Sequence, residues 1–142
     1  MLELKQQDGG SFAIDEQLRM KFSSNVQSNG RGFPAIIEEH VRDEISKMLS
    51  FGSFVLDKFD ETQKLGRVVV TVVILGGEYM TWRTLREHNS SPDSFSLNSG
   101  FSNSKLEVIH LSPPDFPRTS LGFSSASISE DLVTLLKRQA SR

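Results

Sequence analysis

Arg67-Val68-Val69-Val70-Thr71-Val72-Val73-Ile74-Leu75 is the most strongly patterned stretch of the chain. Side chains of a strand alternate, so Val68, Val70, Val72 and Ile74 point one way. Val69, Val73 and Leu75 point the other way with Thr71. A strand apolar on both faces is a central strand with cover on each side. In a chain of 142 residues, the second face needs cover from a helix or from a partner subunit.

Working outward, Ser53–Phe59 reads as the antiparallel partner of this strand around the polar turn Asp60–Gly66. Gly76-Gly77 permits a tight hairpin into Glu78–Leu85. Tyr79, Thr81, Trp82 and Thr84 favour a strand there. A helix is the alternative, with Tyr79, Trp82 and Leu85 three residues apart and Asn89 as its stop. Lys105–Leu111 reads as a further strand. Near the N-terminus, Phe12, Ile14, Leu18, Met20 and Phe22 all fall on even positions, which predicts one strand, or two short ones joined near Glu16.

Two helices complete the pattern. Phe33, Ile37, Val41, Ile45 and Met48 form an i, i+4 stripe, with Pro34 in the first turn, and predict a helix over Phe33–Leu49 that Gly52 helps to end. Glu38–Arg42 and Asp43–Lys47 are spaced as pairs on its solvated side. Ser127-Ile128-Ser129-Glu130 fits a capping box ahead of Leu132, Leu135 and Leu136. The expectation is a single α+β domain over residues 1–142, an antiparallel sheet of about five strands with two helices packed on it. Residues 88–104 and 112–126 are expected to be long irregular loops. Serine supports this: 7 lie in the first 89 residues and 14 in the last 53, which marks the second half as loop-rich.

Composition excludes more chemistry than it suggests. With no cysteine, there is no thiolate metal site, cysteine nucleophile or disulfide. The net charge of −2 lacks the basic excess of a dedicated nucleic-acid protein. The start, MLELKQQDGG, has no basic segment followed by an apolar one, so an intracellular, cytoplasmic and non-secreted protein is expected. The longest apolar run is Val68–Leu75, and a membrane helix needs about 20 such residues. No transmembrane segment is expected, although a peripheral membrane contact stays open.

No catalytic constellation emerges. His40 and Glu44 lie one helical turn apart, but without HExxH or a nameable third ligand they read as a solvated pair. No GxSxG elbow accompanies the many serines. Gly76-Gly77 lacks the remainder of a phosphate-binding loop. The chain is therefore read as no enzyme, with no cofactor, no metal and no catalytic residue.

The binding candidates are aromatic and cationic. Tyr79, Trp82, Arg83 and Arg86 would form a strip able to stack bases and grip phosphates, if residues 78–85 are a strand. Of the ten phenylalanines, Phe95, Phe101, Phe116 and Phe123 fall in expected loops, where they tuck back or face a partner. Pro113-Pro114-Asp115-Phe116 has the form of a short proline-rich docking motif, or of a stiff connector. The favoured reading is a non-catalytic interaction or assembly protein that self-associates or holds a protein partner. The alternative is a module for a small ligand or single-stranded nucleic acid.

Leu18-Arg19-Met20-Lys21-Phe22, then Ser28-Asn29-Gly30-Arg31-Gly32-Phe33 and an amphipathic helix, resemble the core of rhabdovirus-type viral matrix proteins. The resemblance implies a self-associating, membrane-apposed structural protein that binds nucleocapsid. The chain departs from that family in lacking a lysine-rich N-terminal arm. It also lacks a PPxY motif, because Pro113–Phe116 ends in Phe.

Overall fold

In the computed structural model, residues 2–5, 10–25, 35–76, 80–91 and 107–140 are described. The elements are β1 (Leu2–Lys5), β2 (Ser11–Ile14), β3 (Met20–Ser23), β4 (Ala35–Ile37), α1 (Glu38–Phe59), β5 (Arg67–Val72), β6 (Thr81–Arg83), α2 (Leu85–Ser90), β7 (Ile109–Pro117), α3 (Ser120–Phe123) and α4 (Ser125–Ala140). The class is α+β, as the pattern predicts. The single sheet of five strands is not formed. Instead β1-β2-β3 make an antiparallel three-stranded sheet, β4 and β6 a parallel pair, and β5 and β7 an antiparallel ribbon.

The N-terminal alternation forms two strands, and the joint near Glu16 is a turn. The Asp15 carboxylate accepts from Gln17 N–H at 2.9 Å and Arg19 N–H at 3.0 Å. Leu18 closes the turn with φ of 61°, a left-handed conformation that is uncommon for a branched side chain.

Helix α1 is 22 residues long and overturns two expectations. It starts at Glu38, after Ala35–Ile37 have paired with β6. It also continues through Ser53–Phe59, the segment expected to be a strand beside β5. Gly52 does not end it, because Val41, Ile45, Leu49, Gly52 and Leu56 form one continuous buried stripe. The N-terminal sheet packs over Gly52: a Cβ there would lie 3.8 Å from the Phe22 ring and 3.9 Å from the Met20 methyl.

The core lies between α1 and α4. Ile36, Val41, Ile45, Leu49 and Leu56 meet Leu121, Ile128, Leu132, Val133 and Leu136, all buried. The helices run antiparallel, since Glu38 lies near Lys137, Arg42 near Glu130, and Ser53 near Gly122. Arg42 therefore reaches Glu130 on α4 rather than Glu38, and Lys47 pairs with Glu44 rather than Asp43. These ion pairs are partly exposed and each is worth about 1 kcal/mol or less. A satellite cluster of Phe12, Ile14 and Val55 seats the first sheet on α1.

The stretch 112–126 is not an irregular loop. Ser112–Pro117 belongs to β7, followed by α3 and the first turn of α4. A strand can hold prolines where its N–H groups are not needed, at an edge or a bulge. The register slips between Val69↔Asp115 and Thr71↔His110, so Leu111–Pro114 bulge out, with the Ser112–Pro113 bond cis. Ser127 lies inside α4, where it cannot act as a cap. Among the described residues a capping box forms at Thr84, whose hydroxyl accepts from Glu87 N–H at 3.2 Å while the Glu87 carboxylate accepts from Thr84 N–H at 3.0 Å. That cap starts α2, so among the described residues of the segment 78–85 only Thr81–Arg83 is a strand. Within residues 88–104, α2 extends to Ser90 and positions 92–104 lie outside the described residues. No helix among the described residues is long and apolar enough to cross a membrane.

Candidate functional site

The expected aromatic–arginine strip does not assemble on the surface. Trp82 and Arg83 are buried in β6, between β4 and the helical core. Arg83 Nη1 donates to the Ser91 carbonyl oxygen at 2.7 Å, so its guanidinium holds the end of α2. Arg86 is exposed but sits on α2, beyond the cap at Thr84, where it no longer shares a strand face with Trp82. Phe116 lies opposite Val68 on the inner face of the ribbon and packs against the core. Tyr79, Phe95 and Phe101 lie outside the described residues.

The other candidates also resolve into structural partners. Glu44 accepts from the Ser24 hydroxyl at 2.9 Å and from Lys47 at 3.1 Å, whereas His40 is exposed. His110 Nδ1 lies 2.9 Å from the Leu111 carbonyl oxygen. Among the described residues, no three His, Asp or Glu side chains converge as a metal site requires.

One surface with unspent chemistry among the described residues is the outer face of the β5–β7 ribbon. The inner side chains Val68, Val70, Val72 and Ile74, with Ile109, Leu111 and Phe116, pack against the core. The outer ones do not: Val69 is 58% exposed, Val73 41%, Leu75 70% and, just before β7, Val108 55%. Strand pairing brings Val73 and Val108 out together, because Val72 lies opposite Ile109, while the exposed pair of Thr71 and His110 stands between them and Val69. At the other end the face is closed by Arg67 and Asp115, whose Nε and Oδ2 are 2.6 Å apart. That guanidinium, by hydrogen bond and charge, holds the Asp115 carboxyl below the usual carboxylate range.

Sequence reasoning identified the two apolar faces of this strand and the need for cover on the second. Side-chain type alone points to aromatic and cationic residues and gives no signal for Val69, Val73, Leu75 and Val108. Phe123, one of the loop phenylalanines, is 93% exposed at the end of α3. Compared with known proteins, the chain gives no significant match to a family model, a curated protein or a solved structure.

Proposed function

We propose that this chain is a non-catalytic assembly protein, a subunit of a larger complex, which holds its neighbours through the outer face of the β5–β7 ribbon. One observation carries the reading: Val69 on β5, Val73 and Leu75 just past its end, and Val108 just before β7 stand in solvent, while the other face of the ribbon is packed. Exposed apolar side chains gathered on one side of a ribbon mark interaction sites. Aliphatic side chains offer no acid, base or nucleophile, so the face suits binding by exclusion of water.

A matrix-like structural role, as the rhabdovirus-type resemblance implies, is one form of this reading. The small-ligand or single-stranded nucleic-acid alternative has less support, since Trp82 and Arg83 are buried and Arg83 is committed to Ser91.

Static light scattering over rising concentration tests the proposal. The mass is expected to grow past two chains of 15.9 kDa. Val108→Asp, which places a charge on the face without disturbing the core, is expected to stop that growth. A mass that never exceeds two chains, or a Val108→Asp protein that assembles like the parent, contradicts the proposal.

A further inference from the structure

We infer that two copies of this chain pair antiparallel through the free edge of β5, about a two-fold axis at Thr71. The inference rests on the assembly reading and names its first partner, a second copy, held by backbone rather than by the valine face.

A two-stranded ribbon has two outer edges, and among the described residues neither pairs with a further strand. The edges differ in kind. The β7 edge carries Pro113, Pro114 and Pro117, which lack N–H groups, and the bulge at Leu111–Pro114 breaks its regular spacing. Prolines and bulges are the devices by which proteins refuse an added strand. The β5 edge has none of them. Val68–Leu75 contains no proline, no glycine and no charge, and seven of its eight residues are β-branched, the type that pairs best in sheets.

One open edge of this kind has a geometric consequence. A β5 strand cannot add to the blocked β7 edge of another copy, so head-to-tail growth through the strand edges is closed off. What is left is β5 against β5, an isologous contact that ends at two chains. Centred on Thr71, this register spans Arg67–Leu75, so Val73–Leu75, just past the end of β5, extend the strand on pairing. It sets Val70 opposite Val72 of the second copy, Val69 opposite Val73, and Val68 opposite Ile74. Odd positions meet odd and even meet even, so packed faces continue as packed faces and exposed valines as exposed valines. The charges also agree with it. Arg67 falls opposite Leu75 of the second copy, and its guanidinium is already neutralised by Asp115 of its own chain. No like charges face each other, and the Thr71 pair on the axis is a favourable cross-strand pair.

Sedimentation velocity of the full chain tests this. The parent protein is expected at twice 15.9 kDa at tens of micromolar, before higher concentration adds further chains through the valine face, and Val108→Asp is expected to keep that dimer. Thr71→Lys sets two ammonium groups against each other on the axis and is expected to weaken dimerisation by about tenfold or more. Its circular dichroism is expected to stay unchanged, because Thr71 is exposed within one chain. The chain has no cysteine, so Thr71→Cys gives a second readout. Directly opposed residues lie about 5 Å apart, within disulfide reach, so mild oxidation is expected to yield a covalent dimer. Leu85→Cys, exposed elsewhere, is expected to yield none. A parent protein at 15.9 kDa throughout, or a Thr71→Lys protein that dimerises as well as the parent, overturns the inference. A dimer lost with Thr71→Lys, beside a Val108→Asp change that alters nothing, upholds the edge contact and removes the valine-face proposal.

Discussion

Arg118 Nη1 and Asp60 Oδ2 are 2.6 Å apart, and both side chains are buried. This pair straps the end of β7 to the end of α1. Arg118 Nη2 also donates to the Asp60 carbonyl oxygen at 3.3 Å, and the Arg118 N–H donates to the Gly66 carbonyl oxygen at 3.0 Å. The Asp60 carboxylate accepts from Lys64 N–H at 3.1 Å and Leu65 N–H at 2.9 Å. One guanidinium and one carboxylate thus fix the turn that launches the β5–β7 ribbon. Removing one partner leaves a buried charge without its counterpart, which is strongly destabilising. Arg118→Met is expected to lower Tm by on the order of 10 °C. Arg118→Lys should recover only part, since a single ammonium cannot reproduce the fork. A Tm within a degree of the parent's would contradict this role.

The same site makes stability depend on acid. The Leu65 N–H holds the Asp60 carboxyl below its ordinary value of 3.8 against the opposing pull of burial, with the Lys64 N–H and Arg118 adding to the effect. Asp115 is lowered by Arg67. In Asp15, burial raises the value but is outweighed by hydrogen bonds from Arg19 and Gln17. Each group is easier to ionise folded than unfolded, so its contribution is fully present above about pH 4 and is lost as pH falls through the lowered native values. Thermal melts between pH 6 and pH 2 should show this loss confined to the acid end. Asp60→Asn should flatten the acid limb, and an unchanged limb would count against the assignment.

Gly52 offers a stabilising change. A methyl group there meets Phe22 and Met20 at ordinary contact distances, and glycine inside a helix costs about 0.5–1 kcal/mol relative to alanine. Gly52→Ala is expected to raise stability by about that amount in urea melts. A loss of stability would show that the first sheet sits closer to α1 than described.

Leu136 is fully buried between α4 and α1. Truncation to alanine removes packed methyl groups and leaves a cavity, at a cost of about 2–5 kcal/mol. Leu135, half-buried on the same helix, should cost clearly less when truncated. Equal losses at the two positions would contradict the orientation of α4.

Much of this architecture is legible in the sequence where periodicity and packing agree. Leu132 and Leu136 mark the buried face of α4, and Phe12, Ile14, Met20 and Phe22 mark the alternation of β2 and β3. Legibility fails where tertiary contacts override a local signal. Gly52 reads as a helix stop, yet α1 passes through it because Val55 and Leu56 continue the buried stripe. Pro113, Pro114 and Pro117 read as irregular chain, yet their missing N–H groups are tolerated at the ribbon's edge. Ser127 matches a capping box by spacing, but the box that forms is Thr84 with Glu87. For the site, residue type was the poorer guide. Trp82 and Arg83 suggest binding and are buried, whereas Val69 and Val73 suggest core and are exposed. Only the two-faced pattern of Val68–Leu75 pointed to the surface that the structure leaves uncovered.

The central claim is that the β5–β7 ribbon is a contact surface, and amide hydrogen exchange as a function of protein concentration tests it most directly. The amides of residues 67–75 are expected to exchange more slowly as concentration rises, while those of the solvent-exposed helix α2 keep a constant rate. Exchange over residues 67–75 that is the same from dilute to concentrated solution would contradict the account.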